Sequence, residues 1–329
     1  MKGIEGEKMI TLCNIYTTTN SYAGSDWNFE KTSKYVFSNG QECIEAGYFI
    51  HYFKNGNSME EMKHVIELPS SHGCLMRCGF CASSQIMNIR VLESEEIYEI
   101  FTYIFHYNKL ENKKNILVSM KGIGDLYFTL DTVEKVLQKI SYNYRDICFS
   151  VSSCYWTEEM LKKIEFLQTF INFRTIQVSY ITHNVEKLKN VIPYYENIIY
   201  DVDAMIQIIK QSNIKEFKIN YMLIKGLNDS DDDFAAFISR FEGIKNMIVI
   251  RISKVNETQA SIKNGIIGAS IDRMLEFKKQ LLNQDYKAYT FYSYKDDNMN
   301  CGQLITEQSK TVDSITLDQF RQIKYEAIK

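Results

Sequence analysis

Three cysteines, Cys74, Cys78 and Cys81, stand in one short stretch with C-x3-C-x2-C spacing, inside Pro69-Ser-Ser-His-Gly-Cys-Leu-Met-Arg-Cys-Gly-Phe-Cys-Ala-Ser-Ser. Thiolates this close together hold a metal or a cluster, because soft sulfur ligands suit iron–sulfur centres and zinc. A tetrahedral zinc site wants a fourth ligand, usually from a second pair. This chain has no second C-x2-C, so a zinc knuckle would have to be completed by His72. Three cysteines suit a [4Fe–4S] cluster with one iron left open. The five histidines (His51, His64, His72, His106, His183) are dispersed, and no pair has metal-ligand spacing such as H-E-x-x-H. None is assigned a catalytic role.

Such a loop needs elements to hold it. Val65-Ile-Glu-Leu reads as a short strand feeding it. Ser94, with Glu95 and Glu96 in the first turn, caps a helix in which Ile97, Phe101 and Ile104 share one face. A strand over 115–120 precedes a helix for which Asp131 and Glu134 form a capping box, with Val133, Val136, Leu137 and Ile140 on one stripe. Further strands are expected over 146–152, 173–180, 216–224, 247–252 and 286–292, and helices from Thr157, over 231–241 and over 271–282. Strands alternating with helices of ~10 to 15 residues imply parallel βαβ units. Seven or so units, with the metal loop after the first strand, predict an α/β chain folded as a partial or full β/α barrel. Barrel chemistry sits at the C-terminal ends of the strands, where this loop falls.

Ahead of the loop, Tyr35-Val-Phe, the Asn39-Gly40 turn and 43–53 read as a β-hairpin extension. Asn55-Gly-Asn57 reads as another turn, and residues 1 to about 30 as an irregular lead-in. The expected organisation is lead-in and hairpin over 1–64, barrel over 65–304, and a helical tail over 305–329. The 329 residues are 45% hydrophobic, enough for a sizeable core. A formal net charge of −3 gives no bulk attraction to nucleic acid or anionic lipid, which leaves room for a local basic groove. No apolar run approaches the ~18 residues of a spanning helix, and the first residues lack a signal-peptide core. Eight unevenly spaced cysteines are not a disulfide framework. A cytoplasmic protein with no membrane partner is expected.

The cysteine spacing resembles that of the radical S-adenosylmethionine (SAM) superfamily, and Phe80, just before the third cysteine, agrees with it. The resemblance implies a [4Fe–4S] cluster on Cys74, Cys78 and Cys81 whose open iron chelates SAM and cleaves it to a 5′-deoxyadenosyl radical. It also implies an electron donor such as flavodoxin or ferredoxin. Ser70-Ser-His-Gly-Cys-Leu-Met-Arg-Cys-Gly-Phe-Cys, Lys121-Gly-Ile-Gly-Asp and Asn300-Cys-Gly-Gln-Leu, in that order, are similar to the RlmN/Cfr-type methylases, over roughly Lys34 to Leu304. In that family the cysteine matching Cys301 is methylated by one SAM, and a radical from a second SAM removes a hydrogen from this methyl group. The resulting methylene radical attacks an electron-poor sp2 carbon of an RNA adenosine. Such a carbon is a poor nucleophile, so ordinary transfer from SAM fails, whereas a tethered radical can add.

Other positions carry over from the same likeness. Gly122 and Gly124 allow close backbone approach to SAM, and Asp125, where the family usually has Glu, offers a carboxylate to the SAM ammonium; the alternative is a plain turn with an exposed Asp. Ser152 or Ser153, Ser179 and Asn256 match SAM-binding positions at strand ends. Three features depart from the family. Glu67 stands seven residues before Cys74, where the family has a second catalytic cysteine. A carboxylate cannot form the product-releasing disulfide but could accept a proton; release through a thiol would fall to Cys43, Cys154 or an external one. Only about 30 residues precede the matching region, too few for the family's N-terminal RNA-gripping domain. The stretch before Cys301, Thr290-Phe-Tyr-Ser-Tyr-Lys-Asp-Asp, has one Lys where the family is basic. These losses count against ribosomal RNA and for a small molecule, a nucleoside-like metabolite or a peptide. The alternatives are hydrogen abstraction without methyl transfer, methylation of rRNA or tRNA adenosine, and a zinc-stabilised protein without catalysis.

Overall fold

The computed structural model describes residues 10–23, 29–55, 58–197, 201–214, 216–293 and 303–307. Strands β1 (Thr11–Ala23), β2 (Phe29–Ser38), β3 (Cys43–Asn55) and β4 (Ser58–Glu67) form an antiparallel meander. A short ribbon of β5 (Ser71–His72) and β6 (Arg90–Val91) brackets the cysteine loop. Helices and strands then alternate: α1 (Ser94–Tyr107), β7 (Ile116–Met120), α2 (Leu126–Asn143), β8 (Ile147–Ser153), α3 (Glu158–Leu167) and β9 (Phe173–Tyr180). The series continues with α4 (Val185–Lys189), α5 (Val202–Gln211), β10 (Phe217–Leu223), α6 (Asp231–Phe241), β11 (Ile248–Lys254), α7 (Gln259–Lys263), α8 (Ile271–Asn283), β12 (Lys287–Ser293) and α9 (Gln303–Glu307).

Strand β4 and strands β7 to β12 run parallel in sequence order, giving the expected α/β barrel framework. These parallel strands do not meet one another at the ends of the row. Strands β3, β2 and β1 complete the ring, and β1 meets β12 through Tyr22–Ser293 and Ala23–Tyr292. Along each strand alternate residues face outward or inward. The outward set, including Ile66, Val118, Phe149, Val178, Ile219 and Ile250, is buried under the helices. Tyr221 stacks on Phe237 of α6 with centroids 4.6 Å apart. The inward set is polar in its middle and upper layers: Glu67, Ser119, Ser150, Ser152, Gln177, Ser179, Lys218, Asn220 and Arg251 share the lumen face by register.

The hairpin at Asn39-Gly40 is present. Asn39 Oδ1 accepts from the Gln41 and Glu42 amides at 3.0 and 2.9 Å, and Gly40 takes the left-handed φ of +91°. Three expectations are corrected. The lead-in contains a 13-residue strand, β1; of its inner face Tyr16 packs with Val36 and Cys43, and its Thr17-Thr-Thr-Asn-Ser run carries no hydrophobic alternation. Helix α1 is capped by Glu93, whose backbone N donates to Glu96 Oε2 at 2.8 Å, and Ser94 is its first residue. Helix α2 begins at Leu126 with Asp125 as N-cap, while Asp131 lies mid-helix and pairs with Lys163. Its first turn carries Tyr127 and Phe128, and Phe128 packs edge-on against Tyr194 at 4.7 Å. The Gly56-Asn57 turn lies outside the described residues. Among the described residues, no helix is long and apolar enough to cross a membrane.

Candidate active site at the barrel mouth

The cysteine loop leaves the C-terminal end of β4. Arg77, with φ +54°, makes the tight turn between Cys74 and Cys78 and donates through Nη1 to the carbonyls of Ser84 (2.5 Å) and Ile86 (3.2 Å). The Gly79 amide donates to the Val191 carbonyl at 2.7 Å, and Asn264 Nδ2 donates to the Gly79 carbonyl at 2.8 Å. Thr258 Oγ1 donates to the carbonyl of Phe80 at 2.9 Å. The loop is thus clamped from the far side of the ring. Asn256 is exposed two residues before Thr258, so its segment borders the cysteine loop.

Burial pushes the Cys74 and Cys81 thiols above their usual range. Cys78 contacts the Cys154 thiol; that hydrogen bond, the largest single influence, pulls its pKa down, and burial together with Cys74, Cys81 and Asp125 leaves the thiol raised. Metal binding must therefore displace protons from these thiols. Among the described residues, no three His, Cys, Asp or Glu side chains converge on a point that a single ion would occupy. His72 is engaged elsewhere: its Nδ1 lies 2.6 Å from the Asn88 carbonyl and 3.6 Å from Glu42 Oε1. The three thiols of the loop match the donor set of a cluster with an open iron, and the Cys154 thiol stands against Cys78 from the end of β8.

The Gly122-Ile123-Gly124 turn leaves β7 and lies directly on this loop. The Ser70 and Ser71 amides donate to the Ile123 carbonyl at 2.8 and 3.2 Å. A Cβ on Gly122 would lie 2.6 Å from the Leu68 carbonyl oxygen; one on Gly124, where φ is +117°, would overlap the Ser70 and Ser71 hydroxyls. Both glycines are required for loop-on-loop contact. Asp125 is buried, not an exposed turn residue. Its Oδ1 accepts from the Tyr127 amide (2.9 Å) and the Ser153 hydroxyl (2.6 Å), and its Oδ2 from the Cys154 amide (2.9 Å). Burial raises its pKa, and these hydrogen bonds oppose the rise. Ser153 therefore serves Asp125 and faces away from the lumen.

Glu67 ends β4 between Gly47 and Ser119, so it is not on a sheet edge. It pairs with Lys34 Nζ at 3.0 Å, and Lys34 also reaches Glu45 at 3.4 Å. Ser179 faces Ser152 across the lumen wall at 3.2 Å. Gln177 Nε2 donates to Ser152 Oγ at 3.1 Å, and its Oε1 accepts from Lys121 Nζ at 3.1 Å. Burial, reinforced by Lys218, Arg251 and Lys63, holds Lys121 well below the usual lysine range. Sequence reasoning quoted Lys121 without a role and missed Lys63, Lys218 and Arg251. Their signal was charge at inward positions of otherwise buried strands. Cys301 lies outside the described residues. Helix α9, which begins two residues later, packs Leu304 and Ile305 against Ile123 and Cys43, with Ile86 alongside.

Residues 68–238 match the Radical SAM superfamily. The dual-specificity RNA methyltransferase RlmN of Wolinella succinogenes is 24% identical over 76% of this chain and 69% of its own length. A probable RlmN of Pseudothermotoga lettingae is 23% identical over 84% of this chain and 76% of its own. The match to RlmN of Campylobacter hominis, 24% identical, spans only 54% of that protein. A crystal structure of a radical SAM methyltransferase from Sphaerobacter thermophilus shares the fold, with a TM-score of 0.65 and 17% identity over 87% of this chain and 80% of that one. With the superfamily match covering more than half the chain and opening on the three-cysteine loop at the mouth of a β/α ring, this protein belongs to the radical SAM superfamily, whose enzymes use a [4Fe–4S] cluster and SAM.

Proposed function

We propose that this radical SAM enzyme is a methyltransferase that delivers a one-carbon unit to an sp2 carbon through a methyl-carrying Cys301. Cys74, Cys78 and Cys81 would hold the cluster, with Phe80, the Gly122–Asp125 turn, Ser152, Ser179 and Asn256 as the surroundings of SAM. The cluster and SAM, when bound, supply a radical able to remove a hydrogen atom from a thioether methyl. The single observation that carries the reading is the burial of Leu304 and Ile305 against Ile123 and beside Ile86. Residues three and four positions after Cys301 are therefore anchored between the glycine turn and the segment following the third cysteine. A carrier cysteine needs such an anchor, because a tethered group reacts only when its tether is fixed near the target.

Glu67 has a defined place in this reading. A carbon that gains a methyl must give up its original hydrogen as a proton. Glu67 faces the lumen from the end of β4, and we assign it the role of accepting that proton; the carbon–sulfur bond then breaks as a second thiol, Cys43, Cys154 or an external one, forms a disulfide with Cys301, its proton passing to the new methyl group and one electron returning to the oxidised electron donor. The substrate is taken to be smaller than ribosomal RNA, in keeping with the net charge of −3. The test is anaerobic reconstitution with iron and sulfide, then reduction with SAM and mass analysis. A mass gain of about one methyl on the Cys301 peptide, with S-adenosylhomocysteine and 5′-deoxyadenosine, is expected. Deoxyadenosine alone would leave simple hydrogen abstraction as the activity.

A further inference from the structure

The lumen carries more positive charge than its carboxylates neutralise. Lys63, Lys121 and Lys218 face it from β4, the end of β7 and β10. Three carboxylates share it, Glu30, Glu45 and Glu67, against five cations, Lys34, Lys63, Lys121, Lys218 and Arg251; Glu45 and Glu67 both pair with Lys34, and Glu30 lies 2.9 Å from His51 Nε2. Lys121 Nζ has a neutral partner, the Gln177 amide oxygen at 3.1 Å. Lys218 is the register partner of that same Gln177, and its Nζ lies 5.4 Å from the Tyr289 ring centroid. One position below Ser152 on the same face of β8, the Ser150 hydroxyl is buried, 1% exposed, with no hydrogen-bond partner. Unneutralised ammonium groups and a donor hydroxyl inside a closed sheet are costly unless a counter-charge joins them. Nothing in the cluster loop or the glycine turn accounts for them.

The geometry points to an oxyanion-binding subsite in the barrel lumen, built on Lys121, Lys218 and the Ser150 hydroxyl, that takes a phosphate or carboxylate group of the substrate. Lys121, Ser152, Gln177 and Lys218 follow one another around the lumen on β7, β8, β9 and β10, with Lys121 and Ser152 hydrogen-bonded to Gln177 and Lys218 its register partner, and Ser150 lies one inward position below Ser152. An anionic group seated among them would accept charge-assisted hydrogen bonds from two strands at once. The depressed basicity of Lys121 fits this use, since burial among like charges is relieved when an anion arrives. A substrate so gripped would present its other end to the mouth, where the cysteine loop lies. This deepens the proposed function and rests on its use of the lumen as substrate chamber.

The test is calorimetric titration of the reconstituted protein at low ionic strength with inorganic phosphate and, separately, succinate, without SAM or turnover. At least one of the two should bind one to one, and which one identifies the phosphate or carboxylate source. Lys121→Met and Lys218→Met should each weaken that binding ~10-fold or more, and Ser150→Ala several-fold, while Lys162→Met on exposed α3 leaves it unchanged. Without anion, the two lysine variants should melt at or above the parent, because each removes an ammonium of the lumen's positive excess, and should lose the anion-induced rise in Tm. No binding of either anion, binding that survives both lysine substitutions, or a large loss of Tm in both would overturn the subsite. Because no SAM is present, failure here leaves the Cys301 mass measurement standing, and failure there leaves this one.

Discussion

Thr258 Oγ1 donates to the carbonyl of Phe80 at 2.9 Å, joining residues 178 positions apart. Phe80 directly precedes the third cysteine, so the loop after β11 sets the height of Cys81 above the barrel. Thr258 also holds α7 as its N-cap, accepting from the Ser261 amide at 3.0 Å. Thr258→Val removes both hydrogen bonds at nearly constant volume. Each is worth ~1 kcal/mol, so a modest fall in Tm is expected. The sharper effect should be faster loss of iron to a chelator, followed by absorbance. Unchanged iron loss would show that the clamp does not position the cysteine.

Single Cys74→Ala, Cys78→Ala or Cys81→Ala variants should lose cluster iron and SAM cleavage together, because a cluster with only two thiolate ligands is poorly held. His72→Ala should keep both, since His72 turns to Asn88 and Glu42. Iron assay and 5′-deoxyadenosine formation read the two arms. Loss of metal in the histidine variant would restore the zinc-knuckle alternative.

Asp125→Ala should unfold the site before it affects any cofactor. The substitution leaves the Tyr127 and Cys154 amides without their acceptor, while the Ser153 hydroxyl keeps the Tyr155 carbonyl at 2.6 Å. Orphaned buried donors cost ~1–3 kcal/mol each, less where water enters, so a Tm loss of several degrees is expected in the protein without SAM. If Tm holds and only SAM affinity falls, the carboxylate is chiefly a cofactor contact.

Lys63 gives a pH signature. Burial, with Arg174 and Lys218 adding to it, lowers its pKa from 10.5 to about 8. Below about 8 the amine is protonated in both folded and unfolded chains, and the penalty for burying its charge is fully present. Between about 8 and 10.5 the unfolded chain binds more protons than the folded one, so stability contributed at this site rises with pH. The Tm of the parent minus that of Lys63→Met should therefore increase as pH is raised through this window. A flat difference would place Lys63 in water.

Much of the chemistry could be read from local spacing alone. Cys74, Cys78 and Cys81 lie within one loop, and a cluster motif is a property of neighbours in the chain. The β/α alternation was legible because the outward faces of β8 to β12 are apolar with simple periodicity. Strand β9 over Phe173–Tyr180 and helix α6 over Asp231–Phe241 fall at the expected limits. Strand β1 was not legible, because its Thr17-Thr-Thr-Asn-Ser run lacks the alternation that marks strands. The role of Asp125 was equally hidden. A carboxylate after Gly124 looks the same in sequence whether it caps a helix, staples two strand ends or meets a cofactor; here its contacts with Ser153 and Cys154 come from the next strand. The cationic lumen belongs wholly to the tertiary structure. Lys63, Lys121 and Lys218 are far apart in sequence within a chain of net charge −3, and only closure of the ring aims them into one chamber.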